Sequence, residues 1–493
     1  MNWTPELGLI LLLVLPGLGF AGIVLAGKYP NIRDGLNLAM GAALVANVVG
    51  LVNAVGAGAR PGVQLADIAP GLSLQFTLEP LGAMFAAIAS GLFFLNTIYG
   101  IGYMRGNKAK NQTRFFASFA LAIAAAMGVA ASGNMLTLFV FYEILTLSTF
   151  PLVTHNGDEK ARRGGRIYLI ILMGTSIGLL LPAVIATQVY AGTTDFMVGG
   201  LLSGHVGPIV GSILLVLYVF GIAKAALIPV HMWLPNAMVA PTPVSAFLHA
   251  VAVVKAGVFT MVKIVIYVFG IDMVRASPAA HWLAILAAIT IVVGSVIAMT
   301  KDNLKARLAW STIGQLSYVT LGAMIATPLA LMGATLQIVM HAFGKITLFM
   351  CAGAIYSANH VTDVSKMNGM GKAMPWVFGA FFIGSLSIIG LPPFAGAWPK
   401  LILLMGMTDP SDRWLMVALI LSSLLNIVYL LPVSVNAFLK KPDPVEAENA
   451  HNNAKPPLLT VLPPVLTAGA TLGLFFMAGP IMDYLRPVFE GGS

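Results

Sequence analysis

The sequence predicts an all-α polytopic membrane protein with 14 transmembrane helices. Of its 493 residues, 58% are hydrophobic and only 9% are charged, against about 25% charged in a typical soluble domain. The mean hydropathy is +0.90 over the whole chain, which excludes a soluble domain with a single anchor and also excludes disorder, since disorder needs low hydrophobicity. Stretches of about 20 apolar residues, the length that crosses a bilayer, recur along the whole chain.

These apolar stretches lie between polar or Pro/Gly-rich breaks. They cover residues 6–26, 35–57, 79–104, 114–132, 134–154, 165–190, 207–229, 242–269, 281–300, 308–327, 329–356, 376–407, 413–439 and 457–482. The first stretch has Glu6 and no Lys or Arg ahead of it. Because a signal peptide needs a positive n-region, we expect this stretch to be retained as a transmembrane helix.

The basic residues alternate between the two sides of these stretches. Loops after the odd-numbered stretches hold 18 Lys and Arg, and the other side, with both termini, holds 4. Cytoplasmic loops collect Lys and Arg, so the count predicts both termini on the non-cytoplasmic side of the cell (inner or plasma) membrane. The net charge of +9 is therefore assigned to topology, and no nucleic-acid partner is expected.

Sulfur chemistry and catalytic motifs give no support for an enzyme. The single cysteine, Cys351, lies in an apolar run, so the sequence predicts no disulfide, no bound metal and no cofactor held by thiolates. It also contains no HExxH motif and no paired loop carboxylates with a nearby histidine, which a membrane enzyme acting on a lipid or quinone would need. We expect no catalytic site in this chain.

Six charged residues lie inside the apolar stretches, where each costs about 2.5–3.5 kcal/mol at a helix centre, so such residues are functional candidates. They are Glu143, Lys224, Lys255, Lys263, Lys345 and Lys400. Lys263 lies about two turns from the end of its stretch, where a lysine can extend towards the membrane surface. We therefore expect Lys263 to snorkel and the other five to be buried.

Two stretches are interrupted by prolines, which break helices. The prolines are Pro229, Pro235, Pro241 and Pro243 in the first and Pro392, Pro393 and Pro399 in the second. Lys224 lies five residues before the first break, and Lys400 follows the second. Irregular backbone at membrane depth is tolerated inside protein or beside water, and a pair of such segments points to an ion or substrate pathway.

Histidines extend this polar row. His249 lies six residues before Lys255, and His341 and Lys345 are four residues apart on one helix face. A single such histidine is best explained by a structural hydrogen bond between helices. With lysines on four stretches, proton transfer becomes the better interpretation, because imidazole exchanges protons near neutral pH.

The row of lysines suggests a charge-driven proton switch. A lysine that exchanges protons near neutral pH needs a pKa well below its usual value of about 10.4, and burial or a neighbouring positive charge lowers it. A carboxylate does the reverse and holds a nearby lysine protonated. If Glu143 lies beside one of the lysines, moving its carboxylate away releases a proton.

At these residues the sequence resembles the proton-translocating, antiporter-like membrane subunits shared by respiratory complex I, membrane-bound hydrogenases and Mrp-type cation/proton antiporters. The matching segments are VFYEILTLSTFPLV, IAKAALIPVHMWLPNAMVAPTPVSAFLHAVAVVKAGVF, KDNLKARLAWSTIGQLSYV, MHAFGKITLF and IIGLPPFAGAWPK. The likeness extends from about residue 75 to 440. It implies two inverted five-helix repeats, at residues 114–270 and 281–440, between helices 1–3 at 1–113 and a last helix at 457–493.

The resemblance also implies roles for the buried residues. The implied roles are a glutamate–lysine pair of Glu143 and Lys224, a central relay of Lys255 with His249, an onward link of His341 and Lys345, and a terminal lysine, Lys400. By length and layout the chain is similar to the D-type Mrp subunit. The implied partners are protons, Na⁺, the lipid bilayer and other membrane subunits of a hetero-oligomeric antiporter.

Three alternatives stay open. The first is a proton-pumping subunit of a redox complex, either NADH:quinone oxidoreductase or a membrane-bound hydrogenase. The second is a membrane enzyme, and the third is a self-contained solute carrier. The last two predict polar side chains that converge on one site, whereas the lysines here are spread over successive helices.

Overall fold

The N-terminal part combines three long helices with a β-hairpin that the sequence did not predict. A computed structural model describes residues 3–69, 72–441 and 455–490. The elements are α1 (Pro5–Leu25), α2 (Pro30–Gly56), β1 (Gly62–Ala69), β2 (Leu72–Thr77) and α3 (Pro80–Gly106). Each of the three helices begins with a proline, whose fixed φ suits the first helical turn. The two strands pair antiparallel.

The next elements contain the first interrupted helix. They are α4 (Gln112–Ala130), α5 (Met135–Val153), α6 (Glu159–Thr175), α7 (Leu181–Ala191), α8 (Pro208–Gly221), α9 (Trp233–Asn236), α10 (Thr242–Ala250) and α11 (Val253–Ile264). A π-helical turn, Ser176–Leu180, joins α6 to α7. As predicted, regular helix ends before the first proline break, at Gly221. The stretch 242–269 is also interrupted, between α10 and α11, where no proline occurs.

The remaining elements contain the second interruption. They are α12 (Ile271–Arg275), α13 (Pro278–Thr300), α14 (Leu304–Ile325), α15 (Pro328–Asn359), α16 (Pro375–Ile389), α17 (Ala397–Gly406), α18 (Met416–Leu439), α19 (Leu458–Phe476) and α20 (Ala478–Glu490). The second proline break separates α16 from α17, as predicted. The last predicted stretch, 457–482, is too long by a few residues, because α19 ends at Phe476 and a separate helix follows.

Helices occupy every predicted stretch, which confirms the all-α membrane fold. Eleven of the described helices are long and apolar enough to cross a membrane. The other three stretches hold α14 and two interrupted helices. The exact number of crossings and the division into two repeats stay predictions, and residues 491–493 of the predicted C-terminal segment lie outside the described residues.

The chain passes repeatedly between two ends of the molecule. We call one the hairpin end, because it carries β1, β2 and the start of α3. The other is the basic end, where α3 ends and α4 begins, beside Lys108, Lys110 and Arg114. All twelve residues of α11 are buried, and α15 is buried along nearly its whole length. These two helices form the centre on which the polar residues converge.

Candidate functional site

Glu143 and Lys224 meet near the first interruption. Asn134 caps α5, since its side chain accepts from Thr137 N, and Glu143 lies midway along that helix. Lys224 lies in a short 3₁₀ turn, Ala223–Ala225, that follows α8. This turn is fixed from one side by Trp233, whose indole Nε1 donates to Ala223 O at 2.9 Å.

The Lys224 ammonium binds α5 without bonding to Glu143. Lys224 Nζ donates to Thr146 Oγ1 at 2.6 Å and to Tyr142 O at 2.9 Å, and it lies 3.1 Å from the centre of the Tyr142 ring. Both carboxylate oxygens of Glu143 are buried, and neither has a hydrogen-bond partner among the described residues. The predicted pair is therefore adjacent, and its two charges interact electrostatically across a gap.

The central relay joins α11 to α15. Lys255 Nζ and His341 Nδ1 are 2.9 Å apart, and both side chains are buried. His249 is also buried, with its ring 4.7 Å from that of Phe349, and neither ring nitrogen has a partner among the described residues. Unpaired nitrogens in a buried imidazole are costly, so His249 has unused capacity to bind water or a proton.

Lys345 continues the row through hydroxyl groups. Its Nζ donates to Ser311 Oγ at 2.8 Å, and the same oxygen accepts from Tyr429 OH at 2.9 Å. Tyr429 OH also contacts Asn426 Oδ1. These groups connect α15 to α14 and α18, and hydroxyls can both donate and accept, as a proton relay requires.

Lys400 lies at the second interruption and binds exposed main-chain carbonyls. Its Nζ donates to Ile388 O at 2.9 Å, to Ile389 O at 2.7 Å and to Ser423 Oγ at 3.0 Å. The two carbonyls end α16, where the last helical C=O groups have no intrahelical donor. The partial negative charge of a helix C-terminus favours a cation there.

The predicted row forms two clusters. His341 is within electrostatic range of His249, Lys255, Lys345 and Lys400, which makes these five residues a central cluster. Lys224 interacts with Glu143, and these two form an entry cluster. The clusters meet through backbone, because a Cβ on Gly257 of α11 would lie 2.4 Å from the carbonyl carbon of Lys224.

The expected snorkelling of Lys263 is wrong. Its side chain is 0% exposed, and Nζ lies 3.2 Å from Glu79 Oε1. Lys263 Nζ also donates to Ser132 O at 2.7 Å. The carboxylate comes from the first turn of α3, about 180 residues away in sequence, so no local pattern in the sequence could reveal the pairing.

Sequence reasoning also missed polar groups that hold the lysines. Thr146, Ser311, Ser423 and Tyr429 are common residue types at unremarkable positions, and their lysine partners are distant in sequence. Lys305 counts as a loop residue in the sequence. Its Nζ in fact donates to Ala240 O at 2.6 Å, within electrostatic range of His249.

A pocket of about 540 Å³ opens at the basic end beside these residues. Its lining includes Lys110, His155, Thr242 and Lys305. Thr242 begins α10, and His249 lies two turns further along the same helix. The pocket therefore brings solvent to the end of the helix that carries His249. Among the described residues no group of three His, Cys, Asp or Glu side chains could hold a metal ion.

Buried charges on interrupted helices, within a multi-pass helical protein, define an ion-transport subunit of a membrane complex. Comparison with known proteins gives the family. Residues 132–426 match the family described as "NADH:quinone oxidoreductase/Mrp antiporter, TM", and the chain belongs to this family. The resemblance drawn from the sequence motifs is thereby confirmed.

Two curated relatives illustrate the similarity in sequence. NADH-quinone oxidoreductase subunit N of Desulforudis audaxviator (strain MP104C) is 33% identical over 378 residues, 75% of this chain and 74% of that protein. A probable K(+)/H(+) antiporter protein of Rhizobium meliloti (strain 1021), the A/B component, is 32% identical over 341 residues, but the match spans 68% of this chain and only 33% of that protein.

The fold is similar to that of a chain in the structure of the Mrp complex from Dietzia sp. DQ12-45-1b. The two align with a TM-score of 0.86 over 99% of this chain and 98% of that one, at 21% identity. At this identity the likeness establishes the fold alone.

Proposed function

We propose that the chain is the proton-translocating membrane subunit of a Mrp-type multisubunit Na⁺/proton antiporter in the cell membrane. The observation that carries the proposal is the arrangement of the two clusters, which place four lysines and two histidines in the buried centre of the molecule. Such groups are too costly at membrane depth to serve as ordinary packing. Amines and imidazoles brought close to one another in a low dielectric can exchange protons near neutral pH.

Glu143 and Lys224 act as the switch of this mechanism. Thr146, which accepts from Lys224, lies three residues after Glu143 and therefore on the same face of α5. A rotamer change of either side chain then suffices to close the pair. Closure holds Lys224 protonated, and separation, the arrangement in this structure, favours release of its proton.

Protons enter through the pocket at the basic end and reach the central cluster at His249. Support comes from the polar lining of this pocket, from Lys305 at its base and from the unpaired nitrogens of His249. Lys255 and His341 then pass charge to Lys345, and Lys400 releases it from the second interruption. The basic end is the cytoplasmic side in this scheme, in agreement with the asymmetry of Lys and Arg.

A second candidate function is proton pumping within a redox complex. It is favoured by the similarity to NADH-quinone oxidoreductase subunit N, of which the match covers 74%. Co-purification of the full chain in mild detergent distinguishes the two assemblies. Small hydrophobic partner subunits support the antiporter, whereas flavin and iron–sulfur subunits support the redox complex and contradict our first proposal.

Proton transport itself is tested with the co-purified complex in proteoliposomes. Glu143→Gln and Lys224→Met remove the two charges of the switch, and each is expected to abolish cation-driven proton movement while the complex still assembles. Lys372→Met is the matched control, because Lys372 is an exposed lysine at the basic end and its loss should leave transport unchanged. Wild-type transport by Lys224→Met would refute the proposed function.

A further inference from the structure

A closed lysine–glutamate pair, Lys263 with Glu79, lies outside both clusters. The ammonium is surrounded by groups that favour its charge: the Glu79 carboxylate at 3.2 Å, Ser132 O at 2.7 Å and the Phe196 ring at 4.5 Å. Carboxylates, carbonyls and aromatic faces all attract a cation. Lys263 therefore differs from Lys224, whose carboxylate is unbonded, and holds a permanent positive charge.

The pair stands at the base of a pocket of about 380 Å³ at the hairpin end. Arg60, Glu79, Asp195 and Lys263 contribute to its lining. The Glu79 side chain is 16% exposed and that of Lys263 is 0% exposed, so a cation entering from solvent meets the carboxylate first and the ammonium behind it. This pocket and the basic-end pocket lie at opposite ends of α3, a helix of 27 residues and thus about 40 Å long.

Glu79 is held in place independently of the ion pair. Its Oε2 caps α3 by accepting from Leu81 N and Gly82 N at 2.6 and 3.1 Å, while Oε1 faces Lys263. A Cβ on Gly82 would lie 2.3 Å from Ala130 O, so the start of α3 is packed tightly against the end of α4. The carboxylate is a fixed partner, and it fixes the ammonium in turn.

The ammonium also lies between the pocket and the central cluster. Lys263 follows Lys255 by eight residues on α11, a distance of about 12 Å along the helix axis. Every residue of this helix between the two lysines is buried. A proton that moved from Lys255 towards the hairpin-end pocket would have to pass this second positive charge.

The corresponding lysine of the second interruption has no such seal. Lys400 binds two carbonyls and a serine hydroxyl, and no carboxylate among the described residues pairs with it. It is also slightly more exposed, at 8%. Charge reaching Lys400 meets no fixed counter-ion pair, whereas charge leaving by the hairpin-end pocket would.

We propose that Lys263, fixed by Glu79, is an electrostatic seal that closes the first half of the molecule at the hairpin end to protons and other small cations. Fixed positive charges exclude protons and cations from membrane pores in the same way. The seal directs protons onward to Lys400 and prevents their loss before the switch has completed its cycle. This inference rests on the proposed function, because a seal is needed only beside a proton path.

The test is a passive proton leak, measured in proteoliposomes of the co-purified complex under an imposed pH gradient without the exchanged cation. The double variant Glu79→Gln/Lys263→Met removes both charges. Glutamine is chosen for the first position because its amide oxygen can still cap Leu81 N and Gly82 N, which preserves the start of α3. We expect a leak at least about tenfold above wild type, with an unchanged melting temperature.

Three further variants isolate the cause. Lys263→Arg keeps the charge and should not leak, whereas Lys263→Gln removes the charge, can still donate to Ser132 O and should leak even if the double variant does not assemble. Arg33→Met/Asp34→Asn removes a different buried ion pair, Arg33–Asp34 at 2.7 Å on α2, and serves as the control that should not leak. A purely structural ion pair would change the melting temperature without changing the leak.

The outcomes separate this inference from the proposed function. Assembled Lys263→Gln or double variants without a leak would overturn the seal, and so would a leak of equal size in the Arg33→Met/Asp34→Asn control. If Lys224→Met is inactive while these variants do not leak, only the seal is wrong. If Lys224→Met transports normally, the proposed function fails whatever the leak.

Discussion

Replacement of Gly257 by alanine should displace Lys224 and reduce transport. The added Cβ would lie 2.4 Å from Lys224 C and 2.5 Å from Ala225 N, whereas non-bonded carbon atoms rest about 3.5–4.0 Å apart. Both neighbours are backbone atoms, which cannot turn aside as a flexible side chain does. The turn that carries Lys224 must therefore move away from α11 by about 1 Å.

The magnitude follows from two opposing contributions to the free energy of unfolding. Overpacking of a well-packed interior costs about 1–3 kcal/mol, while alanine in place of glycine within a helix gains about 1 kcal/mol. The net loss of stability is then at most about 2 kcal/mol, which leaves the protein folded. A displacement of about 1 Å nevertheless stretches the 2.6 and 2.9 Å bonds from Lys224 Nζ to Thr146 and Tyr142 beyond hydrogen-bond range.

Transport and melting temperature should therefore respond differently. We expect Gly257→Ala to lower cation-driven proton uptake in proteoliposomes by about tenfold or more, since hydrogen bonds to a charged group contribute about 1.5–3 kcal/mol. Gly91→Ala is the matched control, because Gly91 also lies within a helix and a Cβ there meets nothing within 4 Å. If Gly257→Ala and Gly91→Ala have equal transport rates and melting temperatures, the contact between α11 and Lys224 has no functional weight.

Three other outcomes are expected. Thr146→Val removes the 2.6 Å acceptor of Lys224 and should slow proton uptake about tenfold at an unchanged melting temperature; an unchanged rate would count against the switch. Gly396→Ala would place a Cβ 1.8 Å from Ser387 O and should prevent assembly, so a normal elution profile on size exclusion would contradict the packing. Burial, followed by a neighbouring arginine, lowers the pKa of His155, so its contribution to stability is present above its ordinary pKa of about 6.5 and is lost as pH falls. His155→Gln should accordingly lose less melting temperature than wild type between pH 7.5 and 5.5, and an equal loss would refute this.

Hydrophobic length and proline placement were enough to predict the helices and both main interruptions. They act locally, so one stretch of sequence contains the whole signal. The break between α10 and α11 has no proline, and it was missed for that reason. The β-hairpin was also missed, because β1 and β2 lie in a short polar segment that was interpreted only as a loop.

The identity of the buried charges was predictable from their cost, but their partners were not. Lys224 binds groups on α5 about 80 residues earlier, and Lys345 binds Ser311 on another helix. Such contacts depend on which helices are neighbours, which the periodicity of a single chain does not contain. The error at Lys263 has the same origin, since Glu79 is far away in sequence and an isolated lysine near a helix end is expected to reach water.

Cys351, the only cysteine of the chain, is fully buried on α15, and this burial makes the protein suited to chemical labelling. Maleimides and methanethiosulfonates react with accessible thiolates, so the native protein should give almost no background. A cysteine introduced into either pocket would then be the sole reactive position. Membrane-impermeant reagents added to one side of intact vesicles would report which pocket faces that side, without any change to the native thiol.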